Sequence, residues 1–252
     1  MIARYLARIQ VQPPVRTNLS GLTHLIQQHQ QNIHFENLDI ISNRPIQLNK
    51  EALFQKIVVR KRGGVCFELN GLFHFLLKER GYAVQMVAGT VYQQSSGKWG
   101  LEGTHLTNIV RLNSEKYLVD VGFGGNAPRL PVPLSGEVVQ DITGSYRIIQ
   151  KGNWYYLEKK DQADHGAWQP LYRFTGEAKT FNDFHKACRL IETSPRSPFN
   201  RSIFLSKMTA DGRVSLIDQK LIKVTPSGKE KREVSENELP SLVWNMFQIR
   251  ME

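Results

Sequence analysis

The chain reads as an α+β protein in three parts, and three observations lead there. Apolar residues recur at helical spacing through the first third, strand-like runs punctuated by turn residues fill the middle, and the end mixes short strands with one short helix. We therefore expect a helical part at 1–81, a barrel-like sheet at 82–192 and a small α/β part at 193–252. A length of 252 residues exceeds one average domain and is ample for a sizeable core.

In the first part, Leu19 to Gln31, Asn49 to Val59 and Cys66 to Arg80 are the expected helices. Asn18 or Ser20 and Asn49 suit their caps, and Pro13, Pro14 and Pro45 break the connections. Phe35 and Glu36 fall in a linker. The third helix carries Leu69, Leu72, Phe73, Leu76 and Leu77 at helical spacing, and Gly81 is its stop signal. In the middle part the strands are Tyr82 to Gln93, Thr104 to Leu112, Lys116 to Gly122, Ser145 to Gln150 and Asn153 to Lys159, separated by turns such as Ser95-Ser96-Gly97 and Lys151-Gly152. Consecutive short strands predict an antiparallel barrel or curled sheet. A helix from Phe181 to Ile191 follows, with Cys188 buried and inert. The last part reads as strands Arg201 to Met208, Arg213 to Ile217 and Lys220 to Val224, with a turn at Asp211-Gly212 and a helix near Glu236 to Met246.

Hydrophobic content of 40% and charged content of 22% are ordinary for a globular protein. Met1 to Val11 mixes arginines and glutamine into a short apolar pattern unlike a signal peptide, and no apolar run approaches the ~18 residues a membrane span needs. Two cysteines are too few for a disulfide scaffold and suit a reducing compartment, a bacterial-type cytosol. The formal net charge of +10 raises nucleic acid as a partner, but the basic residues are scattered. The run at Lys229, Lys231 and Arg232 is broken by glutamates and reads as a solvated turn. A positive chain still steers anionic small molecules.

The chemistry centres on Cys66. It sits in the first turn of its helix, where unsatisfied N–H groups and the helix dipole favour a thiolate, as do Lys61 and Arg62 nearby. A lone cysteine on a helix is more often an inert small hydrophobe. Two other residues argue for a nucleophile. His105 lies in the strand Thr104 to Leu112, and Asp120 ends the next strand. If the hairpin turns at Asn113 and Ser114, paired residue numbers sum to 227, so Asp120 faces Thr107 and lies diagonally next to His105 on the same face. Cysteine, histidine and aspartate so placed make a nucleophile, a general base and its orienter. Glu68, one turn into the helix, reads as a structural salt-bridge partner. Gly122-Phe123-Gly124-Gly125 is a glycine-rich stretch without a Walker lysine or a dinucleotide fingerprint.

With these segments in view the chain resembles the arylamine N-acetyltransferase family. The resemblance rests on Arg62 to Asn70 around the cysteine, His105 to Val110, Val119 to Gly124, Phe35-Glu36-Asn37-Leu38 (with His34 where the family has proline), and Ser194 to Phe199. These motifs occur in the family's order over nearly the whole chain. What the resemblance implies is a papain-like Cys-His-Asp architecture whose last part is a lid over the cleft. It further implies acetyl-CoA as donor, a small aromatic amine or hydrazine as acceptor, and ping-pong transfer through Cys66, His105 and Asp120 in the metabolism of xenobiotics, with no metal. Gly122, Phe123, Gly124 and Ser202 would contact coenzyme A, and Phe35 and Phe123 would line the acceptor pocket. The oxyanion would be held by the Cys66 N–H and a second backbone N–H near Thr104 or His105. The end of the chain is short for the family, which leaves open how fully the tail closes the acceptor side. Rival readings are a cysteine peptidase or transglutaminase-type enzyme, a macrolactam-forming amide synthase, and a basic binding protein without catalysis.

Overall fold

The computed structural model describes residues 1–161 and 166–250. The N-terminal part holds helices α1 (Ile2–Arg8), α2 (Leu19–Asn32), α3 (Leu38–Ile41), α4 (Lys50–Phe54) and α5 (Cys66–Glu79), with a two-residue strand β1 (Phe35–Glu36) between α2 and α3. Asn18 caps α2 by accepting from the Gly21 N–H at 2.9 Å, and Asn49 caps α4 by accepting from Ala52 at 2.8 Å. Ser20 lies inside α2. The helix expected from Asn49 to Val59 is split, since α4 passes into a π-helical turn over Gln55–Val59. Leu22, Leu25 and Ile26 of α2 bury their apolar stripe against Leu69, Phe73 and Leu76 of α5 in one core. That packing fixes the helix that begins with Cys66.

The middle part holds β2 (Ala83–Gln93), β3 (Lys98–Trp99), β4 (His105–Leu112), β5 (Glu115–Val119), β6 (Val132–Pro133), β7 (Val139–Asp141), β8 (Gly144–Lys151), β9 (Trp154–Lys160) and β10 (Gln169–Phe174). Their order is β6-β5-β4-β2-β10-β9-β8-β7, antiparallel throughout, with β3 attached to β2. The sheet curls until β6 lies against β8, giving a nearly closed barrel. Inside it pack Val87, Ile109, Leu118, Tyr146, Leu157 and Tyr172. Helix α6 (Phe181–Thr193) follows and rests on α5.

The last part is a second antiparallel sheet of β11 (Phe204–Met208), β12 (Arg213–Ile217), β13 (Lys220–Thr225) and β14 (Gly228–Glu233), covered by α7 (Leu239–Phe247). Its first strand is β1, whose Phe35 and Glu36 pair with Ser206 and Leu205. The N-terminal part is thereby stitched to the last sheet beside α5. Lys229, Lys231 and Arg232 sit on β14 rather than in a solvated turn. All three are exposed at a sheet edge, which needs no buried face and is commonly charged. Among the described residues no helix is long and apolar enough to cross a membrane.

Candidate active site

The start of α5 is built by charge. Glu68 accepts from the Val65 N–H at 3.0 Å, closing the first turn from the inside, and takes the Lys56 ammonium at 2.8 Å. Lys56 also meets Asp39 at 2.7 Å, and Arg62 joins Glu36 at 2.7 Å and Asp39 at 3.1 Å. Burial alone would lower the Lys56 ammonium, but Glu68, Glu36 and Asp39 outweigh it and hold the lysine above its usual range. Glu68 thus has the structural role its place on the helix suggested. Removing the central cation strands the buried Glu68, while Arg62 keeps Glu36 and Asp39, so Lys56→Ala is expected to cost about 3 kcal/mol, the scale for breaking a buried ion pair. Urea unfolding checks this; a change within 0.5 kcal/mol of zero, at about the level of a neutral surface substitution, would show that the cluster is not what fixes this turn.

Opposite the helix, β4 and β5 pair with sums of 227, from Asn108↔Val119 to Leu112↔Glu115, as the turn at Asn113 and Ser114 requires. Asn113 takes the positive φ of 54° there. His105 opens β4 and Asp120 follows the last residue of β5, and the imidazole Nε2 lies 2.6 Å from Asp120 Oδ2. The other ring nitrogen, Nδ1, is left for Cys66, with which the ring is hydrogen-bonded. All three side chains are buried.

Asp120 collects four donors. Its Oδ1 accepts from Asn70 Nδ2 and from the Gly122 N–H, both at 2.8 Å, and its Oδ2 takes the Tyr172 hydroxyl at 2.8 Å besides His105. Burial would raise this carboxyl, yet His105 first, then Asn70 and Gly122, keep it below the usual carboxylate range. Burial would likewise strip the imidazole of its proton, but the Asp120 charge and the hydrogen bonds to Asp120 and Cys66 push His105 up to about 10. Tyr172 is driven upward by burial and by Asp120, so its hydroxyl stays a neutral donor. Asn70 anchors both strands to α5, donating to the Leu106 carbonyl at 2.7 Å and accepting from the Val121 N–H at 2.8 Å. A Cβ at Gly122 would stand 2.7 Å from Asn70 Nδ2 and 2.9 Å from the Cys66 Cα, so glycine is what lets the strand end come this close to the helix. Tyr172 was not foreseen, since nothing local in β10 marks it.

A cavity of about 300 Å³ opens above Cys66 and His105. Phe35, Gly122, Phe123 and Gly124 are in its wall, together with Phe199 and Phe204. Ser202 is not in this wall; its carbonyl accepts from Asn37 Nδ2 at 2.7 Å and so ties the segment before β11 to the N-terminal part. Thr104 turns its carbonyl to the sulfur at 3.8 Å, an acceptor rather than a donor. Cys188 is buried away from the wall, and burial pushes its thiol well up. Among the described residues no group of His, Cys, Asp and Glu is placed to hold a metal ion.

The helical part, the barrel and the covering sheet, with a Cys-His-Asp constellation at their junction, define a papain-like architecture. Residues 18–252 match the family model described as N-acetyltransferase, and the chain belongs to that family, as an acetyltransferase. It is 36% identical over 217 residues to the arylamine N-acetyltransferase of Mycolicibacterium smegmatis, covering 84% of this chain and 78% of that one. Among solved structures, the arylamine N-acetyltransferase NAT3 of Bacillus cereus superposes with a TM-score of 0.89 at 32% identity, covering 99% of this chain and 98% of that one. That enzyme has a Cys-His-Glu triad, whereas the acid beside His105 here is Asp120. The Mycobacterium marinum enzyme in complex with CoA gives a TM-score of 0.90 at 31% identity, over 99% of this chain and 93% of that one.

Proposed function

We propose that the chain moves an acetyl group from acetyl-CoA to the nitrogen of arylamines or arylhydrazines through an acetyl-Cys66 intermediate. The observation that carries this is the Cys66–His105–Asp120 constellation at the floor of a cavity walled by Phe35 and Phe123. In the first half, the thiol gives its proton to His105, the sulfur attacks the thioester carbonyl, and the coenzyme A thiolate leaves with the proton from the imidazolium. In the second half, the amine attacks the acetyl-enzyme, His105 takes the proton from its nitrogen, and the Cys66 sulfur leaves. Asp120 holds the ring orientation and offsets the imidazolium charge. The Cys66 N–H at the start of α5 is the first donor for the oxyanion.

Phe35 and Phe123 flank the acceptor ring. In this reading Gly122, Phe123 and Gly124 lie along the pantetheine and phosphates of the donor; the CoA complex of the M. marinum relative supports coenzyme A as that donor's carrier. Ser202, outside the wall, would contact only the part of the donor that extends beyond the cavity. A working thiol of this kind suits a reducing compartment such as the cytosol.

Mass spectrometry of the protein with acetyl-CoA and no acceptor should show one acetyl group on Cys66, discharged when an arylamine is added. No adduct with acetyl-CoA, but one with a carrier-bound acyl chain, would replace this reading with an amide synthase.

A further inference from the structure

The barrel has a second mouth, at the end away from Cys66. His105, Thr107, Ile109 and Arg111 share one face of β4, because side chains alternate along a strand. His105 opens that face at the active site and Ile109 packs in the barrel interior. Arg111 stands near the other end, six residues or about 20 Å from the histidine. Around it lies a cavity of about 370 Å³ that shares no wall residue with the one above Cys66. Strand pairing sets its layers. Ala83, Arg111 and Lys116 form one row across β2, β4 and β5, and Gln85, Ile109 and Leu118 form the row beneath, about 7 Å deeper. The upper row sets two cations directly opposite each other, an arrangement that repels. Among the described residues neither side chain has a hydrogen bond or an ion pair, and no acid stands in the cavity wall. Glu115, the acid next to Lys116, pairs with Leu112 and takes the opposite face. Beneath the cations the wall is apolar: Ile109, Leu134 and the ring of Tyr155, which stacks on buried Phe174 at 5.4 Å. Gly176 lies beside that ring, its carbonyl accepting from Gln85 Nε2 at 2.9 Å. It does not have positive φ, and the nearest atom to an added Cβ would be Tyr155 Cε2 at 3.9 Å, so the missing side chain leaves the mouth open.

We propose that this far mouth of the barrel binds a small apolar monocarboxylate, its carboxylate between Arg111 and Lys116 and its body on Ile109, Leu134 and Tyr155. An anion placed there replaces one repulsion by two attractions, and the arginine offers a fork that matches two carboxylate oxygens. Both cations are exposed, so pairing them demands no prior burial of charge. The apolar layer one row down gives the ligand its direction and takes its body out of water. A free phosphate would meet the cations and leave that layer wet. A volume of about 370 Å³ holds one ring or a short alkyl chain rather than a nucleotide. Between the two mouths lie the buried Thr107 and Tyr172, so the site does not rest on the acetyl-transfer reading, and a ligand in it leaves Cys66 free.

The test is calorimetric titration of the full chain with octanoate, with 1-octanol as its uncharged counterpart, and with inorganic phosphate. It is repeated on the double variant Arg111→Gln with Lys116→Gln, on Gly176→Leu, each first shown to melt cooperatively, and on wild type alkylated at Cys66 with iodoacetamide. Wild type should bind octanoate at least tenfold more tightly than 1-octanol or phosphate. The double variant should bring octanoate down to the level of 1-octanol. Gly176→Leu, which fills the mouth without touching a charge, should weaken both, and alkylation of Cys66 should leave octanoate binding unchanged. Equal affinity for octanoate and 1-octanol in wild type overturns the proposal, as does phosphate bound as tightly as octanoate. So does octanoate binding that survives in the double variant and is lost on alkylation, which would put the acid in the cavity above Cys66. If Gly176→Leu does not fold, the double variant, changed at exposed positions alone, decides the matter.

Discussion

Cys66→Ala is expected to remove acetyl transfer completely while leaving the fold in place. The side chain is buried at the first position of α5, where the sulfur faces the His105 ring and lies a long 3.8 Å from the Thr104 carbonyl. Alanine suits a helix, and losing one buried sulfur costs only about 1 kcal/mol. The first turn is held instead by Glu68 closing on Val65 and by Lys56, neither of which the substitution touches. The chemical effect is of another size. Without a nucleophile the covalent route is gone, and in serine hydrolases such a deletion costs about six orders of magnitude. Cys66→Ser sharpens the comparison, since it keeps an acceptor and donor next to His105 but offers a hydroxyl that a single imidazole activates less readily than a thiol. Both variants should unfold within about 1 kcal/mol of wild type in urea. A well-folded Cys66→Ala protein that still transfers acetyl groups at a tenth of the wild-type rate would sink the covalent mechanism.

What could be read from the sequence had local causes. The hairpin of β4 and β5 was legible because β-branched and apolar residues flank a two-residue turn, and once the turn is fixed the register follows, which placed Asp120 beside His105. The start of α5 was legible from its helical stripe after a glycine pair, and Asn18 and Asn49 capped as their chemistry predicts. The rest depends on residues far apart in the chain. Strand β1 is two residues long and exists because β11, some 170 positions later, offers a free edge; no periodicity can signal that. Tyr172 reaches the site as a side chain of an ordinary-looking strand, and its importance lies in what the fold sets opposite it. The charge cluster around Lys56 draws on four separate segments. The resemblance to a family added the expectation that Phe35 and Gly122 to Gly124 face a ligand; all four stand in the cavity wall.

Asp120→Asn should lower transfer by about four orders of magnitude, the loss seen when a triad aspartate is amidated. The reason lies in the four donors on this carboxylate. An amide has one acceptor oxygen and one NH2 group. If the NH2 takes the Oδ1 place it points at Asn70 Nδ2 and the Gly122 N–H, leaving donors opposed to donors, at about 1–3 kcal/mol for each buried group left unsatisfied. If it takes the Oδ2 place it donates to His105 Nε2, so the ring must carry its proton on Nδ1, the nitrogen that should receive the proton from Cys66. Either orientation harms the base. The charge argument runs the same way. With Asp120 the imidazole keeps its proton up to about 10, against the effect of burial. With asparagine the opposing charge is gone and burial acts alone, so the proton should leave below the ordinary histidine value of about 6.5. At pH 6 iodoacetamide should therefore label Cys66 at least tenfold more slowly in the variant than in wild type, because the charged imidazole beside the sulfur is lost. A loss of only a few-fold in transfer, with an unchanged labelling profile, would mean that His105 takes its orientation elsewhere. The acid nearest in sequence to the nucleophile, Glu68, is already committed to Lys56 and the Val65 N–H and is not free to supply it.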